Sequence, residues 1–150
     1  MLTYRISEQR GAIVWYFSGR ENSDGDYARY VSSFAEADAL GEKHPKPVGL
    51  LYVELHNPLP NAAWRKRMAE ASAHLRSRPT LAFCSPSPLV RGIVTAVNWL
   101  RPPPYEFTTV GSFEDGTAWL QKKRGEILPI LGVLFRECQR EAEAAALPSS

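Results

Sequence analysis

Gly49-Leu50-Leu51-Tyr52-Val53-Glu54-Leu55, residues 49–55, is the stretch whose reading decides the fold. It stands between Pro45 and Pro47 on one side and Pro58 on the other, so it is bounded by turn residues and is too short for a helix. Its side chains are apolar at odd and even positions alike, the pattern of a strand buried on both faces of a covered sheet. It is therefore the expected central strand, and the segments on either side repeat the alternation of strand and helix around it.

Upstream, Leu2, Tyr4 and Ile6 alternate with Thr3, Arg5 and Ser7, the period of a half-exposed strand. Glu8–Gly11 reads as a turn, and Ala12–Phe17 (AIVWYF) as a fully apolar strand, so the chain begins with an antiparallel hairpin. Ser23 and Asp26 have capping-box spacing for a helix starting near Asp24 and stopping at Gly41, with Tyr27, Tyr30, Val31 and Phe34 at helical spacing.

Downstream of the central strand, His56-Asn57-Pro58-Leu59-Pro60 is a stiff connection, with Pro60 suited to the first turn of the next helix. That helix carries Trp64, Met68, Ala71 and Leu75 on one face, and the basic residues Arg65-Lys66-Arg67 read as a solvated surface. Thr80–Cys84 is the next strand. Ser87 as cap and Pro88 at the first helical position then start a helix that is apolar nearly all round, broken by Arg91, Thr95 and Asn98 on one face. Such a helix is expected to meet something outside the fold, which makes Val90, Val94, Val97 and Trp99 interface candidates. Arg101 and Pro102–Pro104 end it. Tyr105–Val110 is the last strand, and Ser112 with Asp115 opens a helix that Gly125 breaks. A final amphipathic helix runs from Glu126 to about Ala146, ahead of a frayed tail through Ser150.

The fold class that follows is a single α/β domain with a five-stranded mixed sheet, an N-terminal antiparallel hairpin leading into strand-helix repeats, with strand order left open. Residues 1–124 form the α/β body, and residues 125–150 a C-terminal helix and tail packed on that body or on a partner.

The 150 residues are enough for one domain with a real core. A net charge of +2 argues against a dedicated nucleic-acid binder. No apolar run reaches membrane-spanning length and no secretory leader is seen, so a cytoplasmic location is expected. Cys84 and Cys138 read as buried reduced thiols, and His44, His56 and His74 share no metal-ligand spacing, so neither a metal nor any other cofactor is expected. Cys84 or a serine could be a nucleophile with His56 as base, but there is no G-x-S-x-G elbow and no glycine-rich phosphate loop, and a non-catalytic role is favoured. Residues leaving the carboxyl ends of the strands, His56, Asn57, Ser85 and Ser87, with Arg91 one turn into a helix, are the candidates for a small ligand or an anion.

The GLLYVEL strand, the LAFCSPSP junction and the terminal YEFTTVGSFEDGTAWL resemble the SpoIIAA-like group of the STAS superfamily, the anti-sigma-factor-antagonist-like domains and the small lipid-binding domains grouped with them. The resemblance covers the body of the chain and lies in a pattern of elements. It implies a regulatory protein-protein interaction domain that docks on itself as a homodimer or on a regulatory partner. In that group a serine or threonine just after the middle strand is phosphorylated, but Glu54–Asn61 contains neither. Ser85 and Ser87 are the nearest hydroxyls at a comparable junction. The alternative implied function is a small-ligand domain, for an anion or a lipid-like molecule, with its pocket at the carboxyl ends of the strands.

Overall fold

Strands and helices alternate along the chain as β1 (Leu2–Ser7), β2 (Ala12–Phe17), α1 (Asp24–Lys43), β3 (Val48–Val53), α2 (Ala62–Ala73), β4 (Thr80–Cys84), α3 (Pro88–Leu100), β5 (Glu106–Val110), α4 (Phe113–Arg124) and α5 (Pro129–Ala146). The computed structural model describes residues 1–100 and 102–148. Arg101, expected to help end α3, and Ser149 and Ser150 of the expected frayed tail lie outside the described residues.

The sheet order is β1-β2-β3-β4-β5, so β3 is the middle strand that its two apolar faces require. β1 is antiparallel to β2, pairing Leu2 with Phe17 and Ser7 with Ala12, and the remaining neighbours are parallel. Because every parallel crossover returns the chain to the amino end of the next strand, α1, α2 and α3 run back against the strands they follow.

Alternate side chains divide the sheet between two cores. Val14, Tyr16, Val48, Leu50, Ala82 and Cys84 face α4 and α5, where Leu120, Leu131, Leu134, Phe135 and Cys138 complete a buried cluster. Ile13, Trp15, Phe17, Leu51 and Leu81 face the other way, onto Tyr27, Tyr30, Ala37 and Leu40 of α1. The stripe of α5 is thus covered by this chain's own β1 and β2. Leu128, before α5, belongs to the same core as β3 and β4, which makes the molecule one domain.

Four local expectations need correction. β1 is not half exposed: α5 covers its second face, where the Thr3 hydroxyl donates to the Cys138 carbonyl at 3.3 Å and Arg5 pairs with Glu141 at 2.5 Å. α1 continues past Gly41 to Lys43, because that glycine is a point of close approach: a Cβ there would run into the Ser77 side chain. The first turn of α2 belongs to Ala62, not Pro60, with Asn61 as the cap, its side chain accepting from the Trp64 N–H at 2.9 Å. α5 starts at Pro129 and not at Glu126, because the proline, which has no N–H to donate, suits the first helical position, with Leu128 as the cap residue; the remaining caps are as expected. Ser23 and Asp26 form a reciprocal capping box, Ser112 accepts from the Asp115 N–H, and Gly125 ends α4 at φ 74° in the left-handed region that favours glycine.

Candidate functional site

The two faces of the sheet are not filled equally. α4 and α5 seat large side chains directly on the strands, whereas α2 has no fully buried residue and meets the cleft with Arg65, Met68, Ala69 and Ser72. Side chains as short as Ala69 and Ser72 do not fill the space between neighbouring helices, whose axes stand about 8–10 Å apart when packed. An apolar cleft of about 160 Å³ remains over the sheet, between α1 and α2 on one side and α3 on the other.

Its floor is made by Phe17, Leu51, Val53 and Phe83, from β2, β3 and β4. Tyr27, Tyr30 and Phe34 of α1 close one side, with Phe17 and Tyr30 edge-to-face at 5.4 Å and Tyr30 and Phe34 at 4.9 Å. Met68 and Ala69 come from α2. Val90, Ile93, Val94 and Val97, at helical spacing on α3, form the opposite wall. The cleft's volume matches that of a site for a benzene-sized guest, about 150 Å³.

The carboxyl-end mouth is held by a network of amides. Asn57 is buried; its Nδ2 donates to the Ser18 and Gly19 carbonyls, both at 3.1 Å, and to Asn22 Oδ1 at 3.0 Å. Asn22 Nδ2 in turn donates to Asn57 Oδ1 at 2.8 Å and to the Tyr27 hydroxyl at 3.0 Å. Glu54, the last polar residue of the organising stretch, accepts from the Tyr16 hydroxyl at 2.6 Å and the Gly19 N–H at 2.8 Å. Burial first, and then this carboxylate, raise the Tyr16 phenol well above the usual tyrosine range and keep it a neutral donor. These bonds tie the loop after β2 to the loop after β3 and so fix the rim.

The residues singled out from the sequence are not gathered into one pocket. Asn57 lines the rim as a structural tie, and His56 is exposed on the same loop. Ser85 and Ser87, 2% and 8% exposed, lie in the turn before α3. There the Ser85 hydroxyl accepts from the Ser87 N–H at 3.1 Å, the Ser87 hydroxyl accepts from the Val90 N–H at 3.3 Å, and Arg91 donates to the Ser85 carbonyl at 2.7 Å. The junction is therefore occupied with holding itself together. Of the interface candidates, Val90, Val94 and Val97 line the cleft, while Trp99, 80% exposed, stands on the outer side of α3 with Leu89, 65% exposed.

Cys84 faces the opposite core, beneath Gly116 of α4, and burial pushes its thiol up to about 12; Cys138 is pushed up to about 11 by the same cause. A buried neutral thiol is inert as a nucleophile. Among the described residues no group of three or more His, Cys, Asp or Glu side chains is arranged to hold a metal ion. Nor, among them, is any helix long and apolar enough to cross a membrane. Of the basic run, Arg65 sits on the cleft rim with its guanidinium donating to the Pro60 carbonyl at 2.7 Å, and Arg67 lies over the Trp64 ring at 4.7 Å.

Sequence reasoning missed the cleft because it is made by what α2 lacks. The signal available was the short pair Ala69 and Ser72 on α2 beside a helix too apolar for a solvent-facing position. No protein-family model matches the chain, and no significant match is found among curated proteins or solved structures.

Proposed function

We propose that this protein is a non-catalytic binding domain that holds a small apolar molecule in the cleft between α2 and α3. The observation that carries the reading is the composition of that cleft: a floor and two walls of aromatic and aliphatic side chains, with Arg65 at its rim as the lone charged group among the described lining residues. Removing an apolar guest from water there is favourable at roughly 25 cal/mol per Å² of apolar surface buried. Nothing in such a lining is suited to bond-making, which supports retention over turnover. A kinship with the STAS-like group and a cytoplasmic setting are parts of the same proposal, the first supported by the order of the elements.

A neutral fluorescent dye, N-phenyl-1-naphthylamine, tests it. The wild type is expected to bind the dye saturably and to brighten it. Val94→Trp, which fills the cleft from α3, should weaken that binding at least about tenfold with the far-ultraviolet circular dichroism unchanged. Unaltered dye binding by a folded Val94→Trp protein would remove the cleft as the site.

A second reading, docking through α3 onto another copy of the chain or a regulatory partner, is supported by the outward Leu89 and Trp99. Light scattering on the same samples separates the two. A dimer that Leu89→Ser with Trp99→Ser reduces to a folded monomer, with dye binding retained, would add docking to binding. A monomeric wild type would leave binding alone.

A further inference from the structure

The sheet has two edges, β1 and β5, and they are finished differently. An open edge offers N–H and C=O groups to any other strand, and proteins that stay apart cover or occupy them. On β1 the Met1 carbonyl accepts from the Ser18 N–H at 2.9 Å, so by alternation Leu2 and Tyr4 turn their backbone groups outward. Side chains occupy that edge. The Leu2 N–H donates to Asp26 Oδ1 at 3.0 Å, the Leu2 carbonyl accepts from Arg29 at 3.2 Å, and the Tyr4 carbonyl accepts from Arg5 at 3.0 Å.

β5 has no such cover. The Val110 carbonyl accepts from the Ser85 N–H at 3.0 Å, so Glu106, Thr108 and Val110 turn their backbone groups to the β4 side, and Phe107 and Thr109 turn theirs to the open side. Among the described residues no side chain bonds to the backbone of Phe107 or Thr109. The strand carries one charge, Glu106 at its first position, and no proline.

α3 lies along the same edge, its Thr95 hydroxyl 3.2 Å from that of Thr109. After Pro88 its exposed positions among the described residues are Leu89, Gly92, Ala96 and Trp99, none of them charged, although the outward side of a helix ordinarily carries charged and polar side chains. A Cβ at Gly92 would meet nothing within 4 Å. On the other face of the sheet α4 begins with Glu114 and Asp115 and ends with Lys122, Lys123 and Arg124.

We propose that two copies of the chain pair β5 to β5, antiparallel, about a two-fold axis through Thr108, joining their sheets into one. Phe107 of each copy then stands opposite Thr109 of the other, and these outward residues exchange N–H···O=C bonds in both directions, while Thr108 meets Thr108 of the second copy at a non-hydrogen-bonded position. The two Glu106 carboxylates are kept four residues of strand apart, about 14 Å. Because α3 touches both β4 and β5, and strands stand about 4.8 Å apart, the two α3 helices run antiparallel with axes about 10 Å apart, the spacing of packed helices. The same rotation turns the acidic start of each α4 toward the basic end of the other. The occupant is a second copy because one axis satisfies the open edge, the uncharged side of α3 and the reversed charge of α4 together. The inference rests on the docking reading of α3 and adds the strand and register that make the contact.

Light scattering and cysteine cross-linking test this. The wild type should have twice the 16.8 kDa mass of one chain. Thr108→Cys should be locked as a dimer by copper phenanthroline at least about tenfold faster than Thr109→Cys, because the axis brings position 108 within disulfide reach of its copy and leaves position 109 about 8 Å from its own, beyond the limit near 7 Å. Cys84 and Cys138 are buried, which leaves the introduced thiol as the reactive one. Thr109→Pro removes an outward N–H and none that pairs with β4, so it should give a folded monomer. A monomeric wild type overturns the inference and the docking reading with it. A dimer that Leu89→Ser with Trp99→Ser splits, but that Thr108→Cys does not cross-link faster than Thr109→Cys, keeps docking through α3 and overturns pairing through β5; this comparison needs no proline variant to fold. A folded Thr109→Pro protein that remains a dimer also overturns it.

Discussion

Gly116 is in the second turn of α4, and the sheet comes so close beneath it that a Cβ would collide with Cys84 Sγ and lie 3.4 Å from Leu50 Cδ1. Gly116→Ala should therefore destabilise the protein by about 1–3 kcal/mol, despite the better helix propensity of alanine. In a Cys84→Ala background, where the sulfur is gone, the same substitution should cost less than about 1 kcal/mol, and chemical denaturation of the four proteins would measure that coupling. The sequence identifies Cys84 as a buried thiol but says nothing of Gly116, since a glycine in a helical pattern looks the same whether it weakens the helix or lets a strand approach. Gly41 carries the same ambiguity and reads as a helix stop, whereas its place against Ser77 explains why α1 continues. Asn98 reads as one polar interruption in an apolar helix; only the enclosed position of its amide distinguishes it from a solvated one.

At the scale of elements, boundaries set by local side-chain hydrogen bonds were the legible ones. Ser23 with Asp26, Ser87 with Pro88, and Ser112 with Asp115 each start a helix where their spacing says, because a cap needs only residues three apart. Asp26 does more than cap. Burial works against its charge, but the backbone N–H groups of Ser23 and Leu2 and the Ser23 hydroxyl outweigh that and hold its carboxyl below the usual range. A carboxyl depressed in the folded state contributes stability above its unfolded value, near 4, and that contribution disappears as the pH falls through the folded value. Asp26→Asn should thus be about 1–2 kcal/mol less stable at neutral pH. Its denaturation midpoint should also fall less than that of the wild type on acidification below about pH 4, as urea titrations at a series of pH values would reveal. What the strand pattern could not disclose was how many faces are covered. The alternation in β1 is the same with or without α5 above it, and α5 arrives from the far end of the chain.

For the molecule as a whole, the three layers follow from the alternation of elements, and the middle place of β3 from its two apolar faces. The unequal filling of the layers does not, because periodicity reports which face of a helix is apolar and not what that face meets. Val90, Val94 and Val97 satisfy the same pattern whether they press on a partner or line a cleft of their own chain, and all three are found along the cleft. That leaves α2 as a wall with no fully buried residue, joined to the core beneath it through the partly buried Trp64 and Met68. Elements of that kind open at low free energy while the rest of the molecule stays folded. In hydrogen-deuterium exchange the amides of α2 should lose their protons well ahead of those of α5, and a bound guest should slow α2 selectively. The short side chains that make room in the resting molecule, Ala69 and Ser72, would then also set its tempo: a guest would be admitted by the breathing of one loosely held wall, with no dedicated lid.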